Sequence, residues 1–469
     1  MKKILFCFVV NLCFLVAGSQ TVSQKIALAY KNFEADSQLK NAISSLYIIE
    51  AGSGKVVFDK NSTIGLAPAS TQKIITAATA YELLGKNFSY KTTLAYSGRM
   101  DGRVLDGILY LTGSGDPTLG SWRWKQTGEE ETIQRFLEAT RKLGIKEYGA
   151  IKVNAYGWQG ETVPDGWIWQ DIGNYYGAGA DVINWRENQY DLLMKSGKDI
   201  GSPVMITGTN PPLYHYGFNS EVKAAAKGTG DRSYIYFQLH DSNGNVRGTI
   251  PVNEDRFVIS GAMPSGVNQL VWTLMDSLDK AGISHIKGKM NDHRLYVPFT
   301  GKVIHTELSP PLDSIVYWFL RKSINLYGEA LVRTFAGQHM KTKKESAATT
   351  ANGIQLLQEF WKVKGIAPTE LNMADGSGLS PLNRVTTRAQ VQVLAHARKQ
   401  SWYAGFFHGF PEYNGMKIKS GTINDVKGFC GYHTSKAGKE YIFSFLVNNY
   451  NGSSSTLVSK MYRLLDHLK

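Results

Sequence analysis

Cysteine is scarce: the 469 residues contain three, Cys7, Cys13 and Cys430. Two of them fall near the N-terminus, so the body of the chain carries one thiol and no internal disulfide framework. Cys430 lies between Phe429 and Gly431 in an apolar run, the setting of a core thiol rather than a nucleophile. There is no His-Glu-x-x-His and no paired-cysteine cluster, so neither a metal nor another cofactor is expected. The ten histidines are dispersed, and no Gly-x-Ser-x-Gly elbow supports a Ser-His-Asp arrangement. Dense basic runs are missing as well. The formal charge is +13, yet it is scattered and Lys341-Thr-Lys-Lys344 is its tightest cluster. Nucleic acid is therefore a poor partner, while an anionic polymer or a merely soluble basic surface both fit. After the N-terminal segment no apolar stretch reaches the ~20 residues that span a bilayer. No internal repeat and no low-complexity tract occurs.

What is present begins at the N-terminus. Met1-Lys-Lys3 is basic, Ile4 to Val16 is apolar except for Asn11, and Ala17-Gly-Ser19 leads into polar Gln20-Thr21. This layout marks residues 1–19 as a secretory signal peptide and the mature chain as exported. Asn11-Leu12 lack the small residues a lipobox would place before Cys13. The remaining length suggests two to four domains, and 43% apolar content is ordinary for a globular core.

Residues 23–39 read as an amphipathic helix, with Ile26, Ala29, Tyr30 and Phe33 at helical spacing. A hairpin follows over 43–49 and 55–58. Ala67-Pro-Ala-Ser-Thr-Gln-Lys73 then opens a helix over 74–84 that ends at Gly85. The far end mirrors this start. Helical patterns cover 314–321, 326–335 and 388–399; strands cover 416–420, 427–434 and 441–447; a helix over 456–468 closes the chain. From 90 to 303 the texture changes to glycine, aromatics and short strand-like runs at 107–112, 234–239 and 256–259, with one helix at 268–281. The expected fold class is α/β (α+β), with an antiparallel sheet and helices split between 20–89 and 304–469. A strand-rich insertion interrupts it as two nested modules, 90–185 with 262–303 and, inside that, 186–261.

Three short elements carry candidate chemistry. Ser70-Thr-Gln-Lys73 places a hydroxyl and an amine on one helix face, and Ser70 lies at a helix start where N–H groups favour developing negative charge. Ser37, Ser220, Ser277 and Ser284 also precede a lysine by three, but none opens a long apolar helix after a hairpin. Ser323-Ile-Asn325, the sole Ser-x-Asn, falls in a turn between two helices. Its side chains either point into a cleft or cap a helix, since both residue types are preferred N-caps. Lys419-Ser-Gly421 ends a strand, where a lysine, a hydroxyl and a glycine can bind a carboxylate and let a substrate backbone approach. Lys195-Ser-Gly197 repeats the pattern but precedes Ser323 and lacks comparable strand context.

In this order and setting, the three elements resemble the penicillin-interacting serine transpeptidase superfamily. Within it the chain is similar to the penicillin-binding protein 4 family of D-Ala-D-Ala carboxypeptidases/endopeptidases. Leu111-Thr-Gly-Ser-Gly-Asp-Pro-Thr-Leu119 looks like that family's Gly-Asp-Pro-Thr segment. Pro164-Asp-Gly-Trp-Ile-Trp-Gln-Asp171 with Gly173-Asn-Tyr-Tyr-Gly177 looks like its Trp-rich loop, and Asp375-Gly-Ser-Gly-Leu-Ser380 like its corresponding loop. Plain alternatives are a turn for the first, insertion core for Trp167 and Trp169, and an ordinary loop for the third. Ser420 stands where the family usually has threonine and keeps the hydroxyl.

The resemblance implies a transpeptidase/β-lactamase-like fold, the long insertion being itself a family trait. It also implies hydrolysis of peptidoglycan stem peptides or cross-links through an acyl-enzyme on Ser70. Lys73 would be the base, Ser323 the proton relay, and Asn325 the holder of the acyl side-chain amide. Lys419 and Ser420 would receive the terminal carboxylate, Gly421 would let the substrate backbone approach, and the Ser70 and Thr422 N–H groups would receive the oxyanion. Trp169 and Asp171 match positions that recognise the amine at the far end of the stem-peptide side chain. β-Lactams would acylate Ser70. The rivals are a β-lactamase, a D-amino-acid esterase or aminopeptidase, and a non-catalytic wall-binding protein. Compact β-lactamases keep the first two motifs close, whereas about 250 residues separate Ser70 from Ser323 here. Oligomeric state stays open, a homodimer included.

Overall fold

The computed structural model describes residues 20–238, 240–286, 294–296, 300–340 and 347–469. The signal-peptide reading of 1–19, Leu239, Lys287 and the basic run Lys341–Lys344 lie outside the described residues.

A six-stranded antiparallel sheet joins the two ends of the chain. Its order is Glu412–Tyr413, Met416–Ile423, Val426–Thr434, Glu440–Asn448, Ile43–Glu50 and Val56–Lys60. Ile43 pairs with Asn448 and Glu50 with Tyr441, so the N-terminal hairpin completes a C-terminal meander. The central strands are apolar on both faces because both are covered. Phe443, Phe445 and Val447 pack under helices Val22–Glu34 and Ser454–Leu465, while Ile442 and Tyr432 face the helical layer opposite. That layer holds helices Lys73–Leu84, Leu312–Lys322, Asn325–Met340, Thr350–Val363 and Thr387–Ala397. Thr21, Ser265, Thr349, Thr386 and Ser453 each accept a backbone N–H as N-caps, which sets where their helices start.

The chain leaves this unit at Tyr90 and returns at Ser309, and the two residues are hydrogen-bonded: Tyr90 N donates to Ser309 Oγ (2.8 Å) and Ser309 N to Tyr90 O (3.1 Å). Between them lies a second six-stranded sheet built on Lys91–Asp101, Val104–Thr112, Glu147–Asn154 and Lys302–Leu308, with two short strands at its edge. It packs on helices Glu129–Arg141 and Gly266–Lys280. Two three-stranded sheets share a separate core: Phe257–Ala262 with Gln189–Lys195 and Met205–Asn210, and Gly217–Ala225 with Asn243–Pro251 and Arg232–Tyr236.

The helix at Glu129–Arg141 corrects the expectation of one helix in the insertion. Its three leading glutamates sit where the helix dipole favours negative charge, and Ile133, Phe136, Leu137 and Thr140 form its buried stripe. The first helix is shorter than expected: Asp36 caps a separate 3₁₀ turn at Ser37–Leu39. Cys430 is fully buried, as its apolar flanks indicate. Among the described residues no helix is long and apolar enough to cross a membrane, and no cluster of His, Cys, Asp or Glu is placed to hold a metal.

Candidate active site

Ser70 lies in a 3₁₀ turn, Ala69–Gln72, that feeds the α-helix Lys73–Leu84. The sequence pattern suggested an ordinary α-helical start. In a 3₁₀ turn residues three apart eclipse, which stacks Lys73 directly on Ser70. Lys73 Nζ donates to Ser70 Oγ at 2.9 Å. Ala69 enters the turn at φ 46°, a strain of about 1–3 kcal/mol for a residue with a Cβ. The surrounding chain holds it there: Gly378, at φ +85°, leaves no room for a side chain beside the Ala69 carbonyl.

Lys73 is completely buried. Besides Ser70 it donates to Asn325 Oδ1 (2.6 Å) and to Ser377 O (2.8 Å). Burial and then the nearby Lys419 charge push its pKa well below the usual lysine range, against the pull of Asp375 and Glu329. An amine in that state can take a proton from a hydroxyl across the same short contact.

At Ser323-Ile-Asn325 both side chains bond lysines of the other two elements. Ser323 ends helix Leu312–Lys322 in the left-handed region, φ 58°, and its Oγ accepts from Lys419 Nζ at 2.9 Å. Asn325 accepts from Lys73 through Oδ1 and donates from Nδ2 to Tyr176 O at 2.7 Å.

Lys419 and Ser420 lie on strand Met416–Ile423, beside the Ser70 turn. Lys419 Nζ also donates to Ser420 O (2.9 Å), and burial pushes its pKa down to about 7. Gly421 is demanded by the close approach of strand and turn: a Cβ there would meet Pro68 O at 2.7 Å and Ser70 N at 2.8 Å. Thr422 is exposed, and its hydroxyl accepts from Lys427 Nζ at 2.7 Å. The competing patterns lie apart from this cluster. Lys195 pairs with Asp255 (3.0 Å), Ser220 is in a strand, and Ser277 Oγ donates to Thr273 O inside its helix.

Trp169 opens the short helix Trp169–Ile172, 46% exposed, with its ring 5.0 Å from Tyr236. Asp171 is in the same turn beside Tyr176, and burial raises its carboxyl to about 6. Tyr176 thus touches Asp171 with its side chain and Asn325 with its carbonyl. Trp167, by contrast, is buried and donates from Nε1 to Asp375 Oδ2 at 2.9 Å.

The residues passed over as candidates are those that brace the cluster. Asp375 accepts from Gly378 N (2.7 Å), Ser380 N (2.6 Å) and Asn383 Nδ2 (3.0 Å), which fixes the loop whose Ser377 carbonyl holds Lys73. Glu329, fully buried and pushed up to about 8 by burial, accepts from Gly376 N at 2.9 Å. The Asp-Gly-Ser-Gly pattern marked a bend, but nothing in it showed what the bend surrounds.

Residues 27–412 match the D-Ala-D-Ala carboxypeptidase 3 (S13) family. The chain belongs to that family. The D-Ala-D-Ala carboxypeptidase from Haemophilus influenzae known as DacB is 24% identical over 430 residues, covering 87% of this chain and 85% of that protein. A D-Ala-D-Ala carboxypeptidase from an Actinomadura species is 24% identical over 451 residues, covering 90% and 81%. The crystal structure of Haemophilus influenzae penicillin-binding protein 4 superposes with a TM-score of 0.78 at 21% identity, covering 94% of this chain and 98% of that one; the likeness is one of fold. The mixed fold with antiparallel sheets and the peptidase identity read from the sequence are both borne out. This carboxypeptidase family member is therefore a hydrolase of the peptidoglycan-acting, serine-dependent kind.

Proposed function

We propose that this carboxypeptidase cleaves D-Ala-D-Ala ends, and the cross-links that resemble them, through an acyl-enzyme on Ser70. The observation that carries the reading is the buried Lys73 amine 2.9 Å from Ser70 Oγ, with its pKa depressed. Neutral Lys73 takes the Ser70 proton as Oγ attacks the penultimate D-Ala carbonyl. The N–H groups of Ser70 and Thr422 receive the oxyanion, which the close packing of Gly421 on Ser70 N supports. Ser323, linked to Lys419 at 2.9 Å, relays the proton that Lys73 took from Ser70 to the departing D-Ala amine and regains its own. Asn325 orients the acyl chain, Lys419 with Ser420 binds the terminal carboxylate, and Gly421 lets the substrate backbone approach. Water then releases the peptide. Trp169 and Asp171 receive the amine at the far end of the stem-peptide side chain.

The same reading has β-lactams acylating Ser70, as the crystallised complex of the Haemophilus protein with a β-lactam suggests by analogy. It also has the chain exported by its N-terminal signal and working on the cell wall outside the cytoplasm, as a monomer or homodimer. The same reading divides the chain into folding units at 20–89 with 304–469, 90–185 with 262–303, and 186–261; the hydrogen-bonded pair Tyr90 and Ser309 supports the outer junction but draws it a few residues later, leaving strand Lys302–Leu308 with the insertion.

The test is labelling of the mature protein with a fluorescent penicillin, read by intact mass for wild type and Ser70→Ala. A lasting adduct on wild type and none on the variant is expected. Rapid drug hydrolysis without an adduct would favour a β-lactamase, and no reaction by folded protein would sink the mechanism.

A further inference from the structure

Arg333 lies on helix Asn325–Met340, two turns beyond Asn325, and only 2% of it is exposed. Its guanidinium spends its hydrogen bonds on main-chain carbonyls. Nη2 donates to Gln159 O (2.8 Å), Nη1 to Glu161 O (3.0 Å) and Ala180 O (3.0 Å), and Nε to Ala348 O (3.1 Å). The cation also lies 4.7 Å from the centre of the Trp158 ring. Gln159 and Glu161 begin, and Ala180 ends, the loop that carries Trp167, Trp169, Asp171 and Tyr176. One side chain therefore fastens both ends of that loop to the helix that presents Asn325.

The loop needs such a fastening. One side of it faces a cavity of about 540 Å³, which Glu161 and Thr162 at its base and Ile172, Gly177 and Gly179 further along all line. Three points of the loop are tied to the reaction centre: Gly166 O accepts from Ser380 Oγ (3.0 Å), Trp167 donates to Asp375, and Tyr176 O accepts from Asn325. The stretch between them holds instead to the nested module, where Ile235 N donates to Asn174 Oδ1 (3.1 Å) and Ala262 N to Gly173 O (3.0 Å). Slack admitted at the base of the loop would pass into this stretch, which carries Trp169 and Asp171. We propose that Arg333 is a specificity-positioning residue: by clamping the base of the loop it sets the distance between the amine-binding Asp171 and the reacting carbonyl. The inference rests on the reading of Trp169 and Asp171 given above. A lysine cannot replace Arg333, because one ammonium lacks the planar fork that reaches separated carbonyls.

The experiment compares kcat/KM for two D-Ala-D-Ala peptides that differ in one feature, a free or an acetylated side-chain amine. Wild type, Asp171→Asn, Arg333→Lys and Arg333→Met are assayed, with penicillin acylation as the measure of an intact Ser70 centre. An amine–carboxylate contact is expected to favour the free amine about tenfold to a hundredfold in wild type. Arg333→Lys and Arg333→Met should bring that ratio near one, as Asp171→Asn does, while acylation stays within a few-fold of wild type. Hydrogen exchange should speed up across 159–180 in the Arg333 variants and not in helix Lys73–Leu84. If Asp171→Asn loses the preference and both Arg333 variants keep it, the clamp is refuted and the amine site stands. If wild type shows no preference, the amine site itself is wrong and the inference falls with it. Equal loss on both peptides together with lost acylation would make Arg333 a general structural residue, which also overturns the proposal. Should Arg333→Met fail to fold, Arg333→Lys keeps the charge and carries the test.

Discussion

Gly421→Ala isolates the close approach of strand and nucleophile turn in the active centre. The added Cβ would lie 2.7 Å from Pro68 O, 2.8 Å from Ser70 N and 2.9 Å from Thr71 N, all backbone atoms that no rotamer change can move. Heavy atoms settle at roughly 3.5 Å from a carbon, so strand and turn must part by roughly half an ångström or more. Alanine itself is at ease there: Gly421 is in a strand and has no left-handed φ. The cost is steric, about 1–3 kcal/mol of stability. The cost in rate should be larger. The displacement separates Ser70 from Lys419 and Ser420 on the strand, and an offset of about 1 Å at a reacting centre can cost about a hundredfold. The second-order rate of penicillin acylation should therefore fall roughly ten- to a hundredfold. Gly428 supplies the control, since it pairs directly with Gly421 on the next strand. A Cβ there would meet Leu446 Cδ2 at 2.6 Å and Thr71 Cγ2 at 3.1 Å, side-chain atoms that can yield. Gly428→Ala should lose stability but keep its acylation rate within about threefold. Folded Gly421→Ala reacting at the wild-type rate, or Gly428→Ala slowed equally, would refute the argument.

The two lysines predict the shape of the pH profile. Activity rises with pH as Lys73 loses its proton, and falls as Lys419, pushed down to about 7, loses the cation that holds the carboxylate. Lys419→Arg keeps its charge at every accessible pH, so the falling limb of kcat/KM should move up or vanish; an unchanged limb assigns it elsewhere. The same depression sets a stability trend. The unfolded chain keeps Lys419 protonated up to about 10.4, so folding releases a proton from about pH 7 to 10. Wild-type stability should accordingly climb with pH relative to Lys419→Met in that window, as thermal unfolding would record. Trp167→Phe removes the bond to Asp375 Oδ2, a hydrogen bond to a charged group worth about 1.5–3 kcal/mol. Its unfolding midpoint should drop, yet acylation should hold within a few-fold because four other donors, Gln72 Nε2 among them, still fix the Asp375 loop.

What the sequence disclosed follows from how local each signal is. Ser70 and Lys73 are three apart, so their meeting could be inferred from helical spacing, although the turn proved to be 3₁₀. Ser323-Ile-Asn325 could not be told from a cap, because the deciding partners, Lys73 and Lys419, come from remote segments. Strand alternation and capping residues exposed most of the catalytic sheet and its helices. Helix Glu129–Arg141 has a clear apolar stripe, but it is a single helical stretch embedded in glycine- and aromatic-rich, strand-like sequence. Glu187 was beyond sequence reasoning. It is buried at φ 54°, accepting from Arg123 Nε (2.7 Å), Ser121 Oγ (2.7 Å) and Tyr327 Oη (2.8 Å). No local pattern marks a carboxylate whose three donors are brought together by folding.

Tyr327 also shows why so large an insertion leaves the catalytic centre coherent. Helix Asn325–Met340 carries Asn325, Glu329 and Arg333 at four-residue spacing, which keeps them along one flank. Asn325 meets Lys73 and the Trp-rich loop, Glu329 holds the Asp375 loop through Gly376 N, and Arg333 ties down the base of the Trp-rich loop. Tyr327, on another face, reaches the insertion through Glu187. Each bond starts from a side chain that is itself buried on the helix, so an error in the placement of any one segment would strand a polar group away from water, at about 1–3 kcal/mol apiece. The penalty is local to this helix, so parts drawn from distant stretches of sequence are set against one common reference. The insertion can then vary in its outer sheets without moving Ser70, provided that Glu187 and the loop base still reach their partners on the helix.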